Sequence, residues 1–180
     1  MQSDEWKRNW KYPVIEHDKL TPWNWMVSHP YNFVMGKYVD IGAFTFIDAA
    51  YGVILEDDVQ IGSHCAIYSH NTIDDEIGEV LIREGACVGS HTTILPGVHI
   101  GKNSIVGAHS LVKFEIPEGT TWAGVPAKLI RGRINCESCL KQIDDREAQK
   151  SLSLYNRFLC LHCLEMRAQA DLDQVKPRPD

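Results

Sequence analysis

The chain has 180 residues, enough for one domain with an appendage or for two small domains, and its hydrophobic fraction of 44% argues against wholesale disorder. A net charge of −6 gives no general attraction for phosphate backbones or anionic lipid, so nucleic acid is set aside as a partner. No apolar run reaches the roughly 18 residues of a membrane span, and the charged, tryptophan-containing opening MQSDEWKRNW is not a secretory signal, so a cytoplasmic location is the expectation.

Residues 1–38 are charged and aromatic, carry Trp6, Trp10, Trp23 and Trp25, and show no repeat. Pro13, Pro22 and Pro30 argue against a long helix there. This stretch is expected to cap the open end of the repetitive region that begins at Val39; the alternative is that some of its aromatics line an acceptor pocket.

From Val39 a six-residue beat takes over; it stops at Pro117, because the next rung would fall on Glu118, and the β-helix domain is expected to span residues 39–130. Aliphatic residues recur at Ile41, Ile47, Leu55 (after a two-residue slip), Ile61, Ile67 and Ile73, then at Ile82, Val88, Ile94, Ile100, Val106 and Val112. Neither a helix of period 3.6 nor a half-buried strand of period 2 produces such a beat, whereas hexapeptide turns of a parallel β-helix do. The expected fold is therefore all-β, a parallel β-helix of about four coils grouped 41/47/55, 61/67/73, 82/88/94 and 100/106/112. The acidic stretch from Asp74 to Leu81 holds three extra residues and should be a loop pushed out of the coil. The position four after most rungs is small or modest (Cys65, Ala86, Thr92, Ser104, Ser110), as a tight inward corner requires. On this grouping, His70, His91 and His109 fall on one face in successive coils, roughly 4.8 Å apart, with His64 on a neighbouring face.

Residues 131–168 lose the beat and hold Cys136-Glu137-Ser138-Cys139 and Cys160-Leu161-His162-Cys163. Two CxxC pairs at this separation match a four-thiolate zinc site, and four cysteines leave no position for water, so the zinc is expected to be structural. Residues 169–180 are expected to form a loose tail.

The segments Val88-Gly89-Ser90-His91 through Gly97-Val98 and Ala123-Gly124-Val125-Pro126-Ala127 resemble the hexapeptide-repeat acyltransferases. The resemblance covers about residues 30–131 and is strongest to the left-handed β-helix acetyltransferases that act on sugars, nucleotide-linked amino sugars or antibiotics. It implies acetyl-CoA as co-substrate, a homotrimer with sites at subunit boundaries, and a sugar or sugar-nucleotide acceptor. By motif position it assigns Gly89, Ser90, Gly107 and Ala108 to the pantetheine groove, Lys113 and Arg131 to the nucleotide end, and His70, just before the extruded loop, to the general base. Lys113-Phe114 replaces the Thr-Lys pair frequent in relatives, and Cys87 stands where an aromatic is common. Two other readings stay open. One is a metal hydratase of the carbonic-anhydrase type, built on His70, His91 and His109. The other is a non-catalytic protein that recruits a partner through its zinc module.

Overall fold

The computed structural model describes residues 4–132, 134–155 and 157–175. Two compact units divide the chain, Met1–Arg131 and Gly132–Asp180.

In the first unit the hexapeptide beat winds three parallel sheets into a triangular coil. The first face stacks Met26–Ser28, Phe46–Asp48, Ala66–Tyr68, Thr93–Ile94 and Leu111–Val112. The second stacks Phe33–Met35, Val53–Leu55, Val80–Ile82 and His99–Ile100, and Ile116 adds a parallel bridge to Ile100. The third stacks Asp40–Ile41, Gln60–Ile61, Cys87–Val88, Ile105–Val106 and Thr121–Ala123, closed by the antiparallel strand Lys128–Arg131.

The coil therefore has five turns, with inward rungs 27/35/41, 47/55/61, 67/82/88, 94/100/106 and 112/116/122, all of them buried. Short strands packed on their inner side need branched aliphatics, and stacking them in register makes one continuous core. Each such side chain contributes roughly 1.5–3 kcal/mol relative to exposure. Cys65, Ala86, Thr92, Ser104 and Ser110 are buried at the inward corners, where little volume is left.

The residue three after a rung turns the corner in the left-handed region: Asp58, His64, Gly85, His91, Gly97, Asn103 and His109 all have positive φ. Gly, Asn, Asp and His tolerate that conformation best. The residue directly after a rung faces the next coil at close range. A Cβ on Gly89 would lie 2.4 Å from the backbone nitrogen of Ala108, so no other residue fits.

Three expectations are corrected. Ile73 is no rung: it is 93% exposed in a loop that leaves after Tyr68 and returns at Val80. The coil starts at Met26, not Val39, because Met26–Ser28 and Phe33–Met35 already pair in parallel with Phe46–Asp48 and Val53–Leu55. It also runs beyond Pro117, since Ile116 and Trp122 fill the fifth turn after a shortened corner. There Phe114 is buried edge-on against Trp122, with ring centroids 5.4 Å apart.

The second unit opens with an antiparallel pair, Ile134–Asn135 with Gln142–Ile143. Two helices come next, α1 (Asp145–Tyr155) and α2 (Leu161–Val175). Asp144 and Glu147 cap the start of α1 reciprocally: Glu147 N–H donates to the Asp144 carboxylate at 2.8 Å, and Asp144 N–H to the Glu147 carboxylate at 3.2 Å. Glu147 also accepts from the Leu161 N–H at 3.1 Å, tying the two helix starts together. Because α2 continues to Val175, residues 169–175 are helical rather than tail. The remaining residues of that expected tail, 176–180, lie outside the described ones.

Candidate active site

The edge between the first and second faces is the most elaborated part of the coil. His70-Asn71 pairs antiparallel with Glu76-Ile77 to make a hairpin that stands off this edge. Its base is fixed by Ser69, fully buried: Ser69 N–H donates to Asp48 O at 3.0 Å, Gly78 N–H to Ser69 O at 3.0 Å, and Tyr51 N–H to Ser69 Oγ at 2.9 Å. The half-buried His70 ring packs edge-on against Tyr51 with centroids 5.3 Å apart. The exposed Asp75 carboxylate approaches His70 Nε2 only to 3.8 Å, beyond hydrogen-bond range. Packing, rather than a carboxylate, therefore sets this imidazole.

The same edge carries residues that the sequence reading missed. Asp48 is in register with Ser28 and Tyr68 on neighbouring strands, lies 3.2 Å from His29 Nδ1, and accepts the Ala50 N–H at 3.1 Å. Their common signal is a spacing of about 20 residues across the irregular corners, which a strict six-residue count skips.

The residues that the resemblance assigns to a pantetheine groove lie on the other edge of the first face, where the chain passes from the third face to the first. Gly89 N–H donates to Val106 O at 2.8 Å and Gly107 N–H to Trp122 O at 2.7 Å, which places Gly89-Ser90 and Gly107-Ala108 in successive coils. The backbone of both glycines is thus already committed to coil stacking. Ala108 is exposed and Ser90 half-buried, and neither backbone N–H has an acceptor among the described residues. Lys113 is exposed directly after the fifth-turn strand Leu111–Val112, and Arg131 is exposed on the antiparallel closing strand, opposite Thr121. Phe114 is in the core and offers no charge.

Within one chain, then, His70 and the Gly89–Ala108 strip occupy opposite edges of the same face. The expected row of His70, His91 and His109 does not form. The row on the groove edge is His64, His91 and His109, because the loop occupies the place of the false rung Ile73 and shifts every later rung by one face. The shared face of His70, His91 and His109 on which the hydratase reading was built is therefore not present within one chain. The N-terminal tryptophans do line a cleft of about 330 Å³, with Met35 and Ile41. That cleft lies at the first turn, whereas His70 leaves from the third.

In the second unit the sulfurs of Cys136, Cys139, Cys160 and Cys163 all lie within 4.8 Å of one another, and Cys139 and Cys160 are 3.7 Å apart. All four are free thiols. A tetrahedral ion with bonds of about 2.3 Å requires sulfurs about 3.8 Å apart, so the donor set and its spacing fit zinc. Burial pushes the Cys136 thiol up, but backbone groups of Cys160, Cys139 and Ser138 outweigh it and bring the thiol down to about 6. Hydrogen bonding to Cys160, with burial, pushes Cys163 up to about 12. The two ends of the cluster thus shift in opposite directions, because the thiols hydrogen-bond to one another.

Comparison with known proteins fits this geometry. The family model "Bacterial transferase hexapeptide (six repeats)" matches residues 79–113. The chain carries the hexapeptide repeat, and the relatives and solved structures that it resembles are acetyltransferases. It is 29% identical over 137 residues to the putative acetyltransferase YvoF of Bacillus subtilis, covering 72% of this chain and 80% of that protein. Over 124 residues it is 33% identical to the galactoside O-acetyltransferase of Escherichia coli, covering 60% of this chain and 61% of that protein. Among solved structures, a galactoside acetyltransferase in complex with coenzyme A superposes with a TM-score of 0.50 at 26% identity, over 68% of this chain and 61% of the other. The Vibrio cholerae hexapeptide-repeat acetyltransferase VCA0836, complexed with acetyl coenzyme A, gives 0.56 at 22% identity over 60% and 64%, a likeness of fold. The chain thus spans somewhat under two thirds of several of these relatives. Among the described residues, no helix is long and apolar enough to cross a membrane.

Proposed function

We propose that this chain transfers an acetyl group from acetyl-CoA to a hydroxyl of a sugar, in a homotrimer whose sites form between copies. The observation that carries this reading is the separation of His70 from the groove across one face. A straight prism has no deep pocket, and setting one prism's His70 edge against the next prism's groove edge makes one. The 33% identity to a galactoside O-acetyltransferase favours a sugar hydroxyl. A nucleotide-linked amino sugar is the second acceptor to test.

Acetyl-CoA supplies an activated thioester. The free N–H groups of Ser90 and Ala108 suit the amide carbonyls of a pantetheine arm, and Lys113 and Arg131 supply positive charge for its phosphates. A sugar hydroxyl is a poor nucleophile until its proton leaves, and His70 takes that proton as the oxygen attacks. A backbone N–H of the groove donates to the developing oxyanion, whose collapse breaks the C–S bond and releases the CoA thiolate, which takes the proton from His70. Tyr51 and the hairpin hold the ring for this step without forming a covalent enzyme intermediate.

The four cysteines are proposed to hold one structural zinc ion. The test of the catalytic reading is a product assay with labelled acetyl-CoA against galactosides and nucleotide-linked amino sugars. His70→Ala should lower kcat by about 10²–10⁴ with acetyl-CoA binding unchanged; an undiminished kcat removes His70 from the role.

A further inference from the structure

The groove edge carries a second feature that acetyl transfer does not use. Phe44, His64, His91 and His109 occupy the same corner in four successive turns, and each has positive φ. The corner is tied coil to coil: His64 N–H donates to Ala43 O at 3.0 Å, His91 N–H to Ser63 O and His109 N–H to Ser90 O, both at 2.9 Å. All three imidazoles are exposed. The centroids of His64 and His91 are 4.7 Å apart with ring planes at 61°, and those of His91 and His109 are also 4.7 Å apart, at 51°. Phe44 closes one end of the row, 5.0 Å from His64.

No hydrogen bond or ion pair among the described residues engages these three rings, so their nitrogens are uncommitted. Another histidine pair shows the contrast. His17 and His29 are 5.1 Å apart, but His17 Nδ1 accepts the His29 N–H at 2.8 Å and its Nε2 lies 3.1 Å from Asp18, while His29 Nδ1 lies 3.2 Å from Asp48.

We infer that the row is a binding site for one divalent transition-metal ion, such as Ni²⁺ or Zn²⁺, held by two adjacent imidazoles with His91 common to both possible pairs. Neutral imidazole is the commonest protein ligand for these ions. Two nitrogens bound at about 2.0–2.1 Å in a tetrahedron lie about 3.4 Å apart, within reach of rings whose centroids are 4.7 Å apart. One ion does not join all three, because His64 and His109 are two coil spacings apart, about 9.6 Å. The shared middle position gives the site an asymmetric signature. Removing His91 destroys both pairs, whereas removing either end leaves one pair intact.

The inference rests neither on the transfer chemistry nor on the cysteine site, and the row borders the Ser90–Ala108 strip. Its test is titration of the full zinc-loaded chain with Ni²⁺ alone, followed by calorimetry, with asparagine substitutions that keep the left-handed corner. The expected result is one Ni²⁺ per chain beyond the cysteine-bound metal. His91→Asn should weaken binding at least about tenfold. His64→Asn and His109→Asn should each weaken it by about twofold, the statistical loss of one of two pairs, and the double substitution should match His91→Asn. Unchanged melting temperatures keep the comparison clean. Equal losses in all three single variants, binding that survives His91→Asn, or no Ni²⁺ bound at all would each overturn the site.

Discussion

The two units of this chain solve the same problem by different means. In Met1–Arg131 the core is a column of aliphatic rungs, each touching the rung above and the rung below, so stability is spread over five turns. In Gly132–Asp180 a short hairpin and two helices bury Ile134, Ile143, Leu152, Phe158, Leu159 and Leu164, with Cys136 and Cys160 in their midst. So small a unit has little apolar surface to bury, and the proposed zinc ion would supply what its core lacks. A lesion in the coil should therefore be local and graded, whereas loss of the cluster should be felt across its whole unit.

The largest effect should come from the cysteines. Apparent zinc energies in small domains are about 10–16 kcal/mol. Cys136→Ser, or chelation, should therefore unfold residues 134–175 while the coil keeps its amide-exchange protection. Metal analysis should fall from one zinc per chain to none. Retained protection in the second unit would mean that its apolar core suffices alone.

Next comes Gly89→Val. Its Cβ would meet the backbone nitrogen of Ala108 at 2.4 Å, and backbone does not give way as a side chain does. Denaturant unfolding should show a loss of about 4 kcal/mol or more. Ile94→Ala, at a fully buried rung in the middle of the column, should cost about 2–5 kcal/mol by the same measurement. Ile73→Ala should stay within about 0.5 kcal/mol, because that side chain is in solvent. Equal losses at Ile94 and Ile73 would mean that both are rungs after all.

The pair Ile73 and Ile94 also shows what was legible in the sequence. Both obey the six-residue count, and the count cannot tell where the chain leaves the coil, because it runs through a loop as readily as through a turn. The corner chemistry separates them. Ile94 is followed three residues on by Gly97 in the left-handed region, as Ile61, Val88 and Val106 are by a histidine, whereas the residue three after Ile73 is Glu76, which is not in that region. Gly36 after Met35 carried a signal for the first turn, hidden by the 3₁₀ turn at Pro30–Asn32 that lengthens the preceding corner. Ile116 and Trp122 escaped because the corner before Ile116 is shorter than six residues. The cysteine cluster needed no such correction, since two CxxC pairs specify chemistry without register. The edge holding Asp48, Tyr51 and His70 was only partly legible. Long-range register brings it together, and the one misplaced rung moved His70 onto the wrong row.

His70 of one copy is proposed to work on the groove of another. The direct test is co-expression of two inactive variants, His70→Ala and the groove-blocked Ala108→Trp, in equal amounts. If the site is shared, each mixed trimer regains one intact boundary, and random assembly should return about a quarter of the wild-type transferase activity. Activity no higher than that of either variant alone would show that the site lies within a single chain.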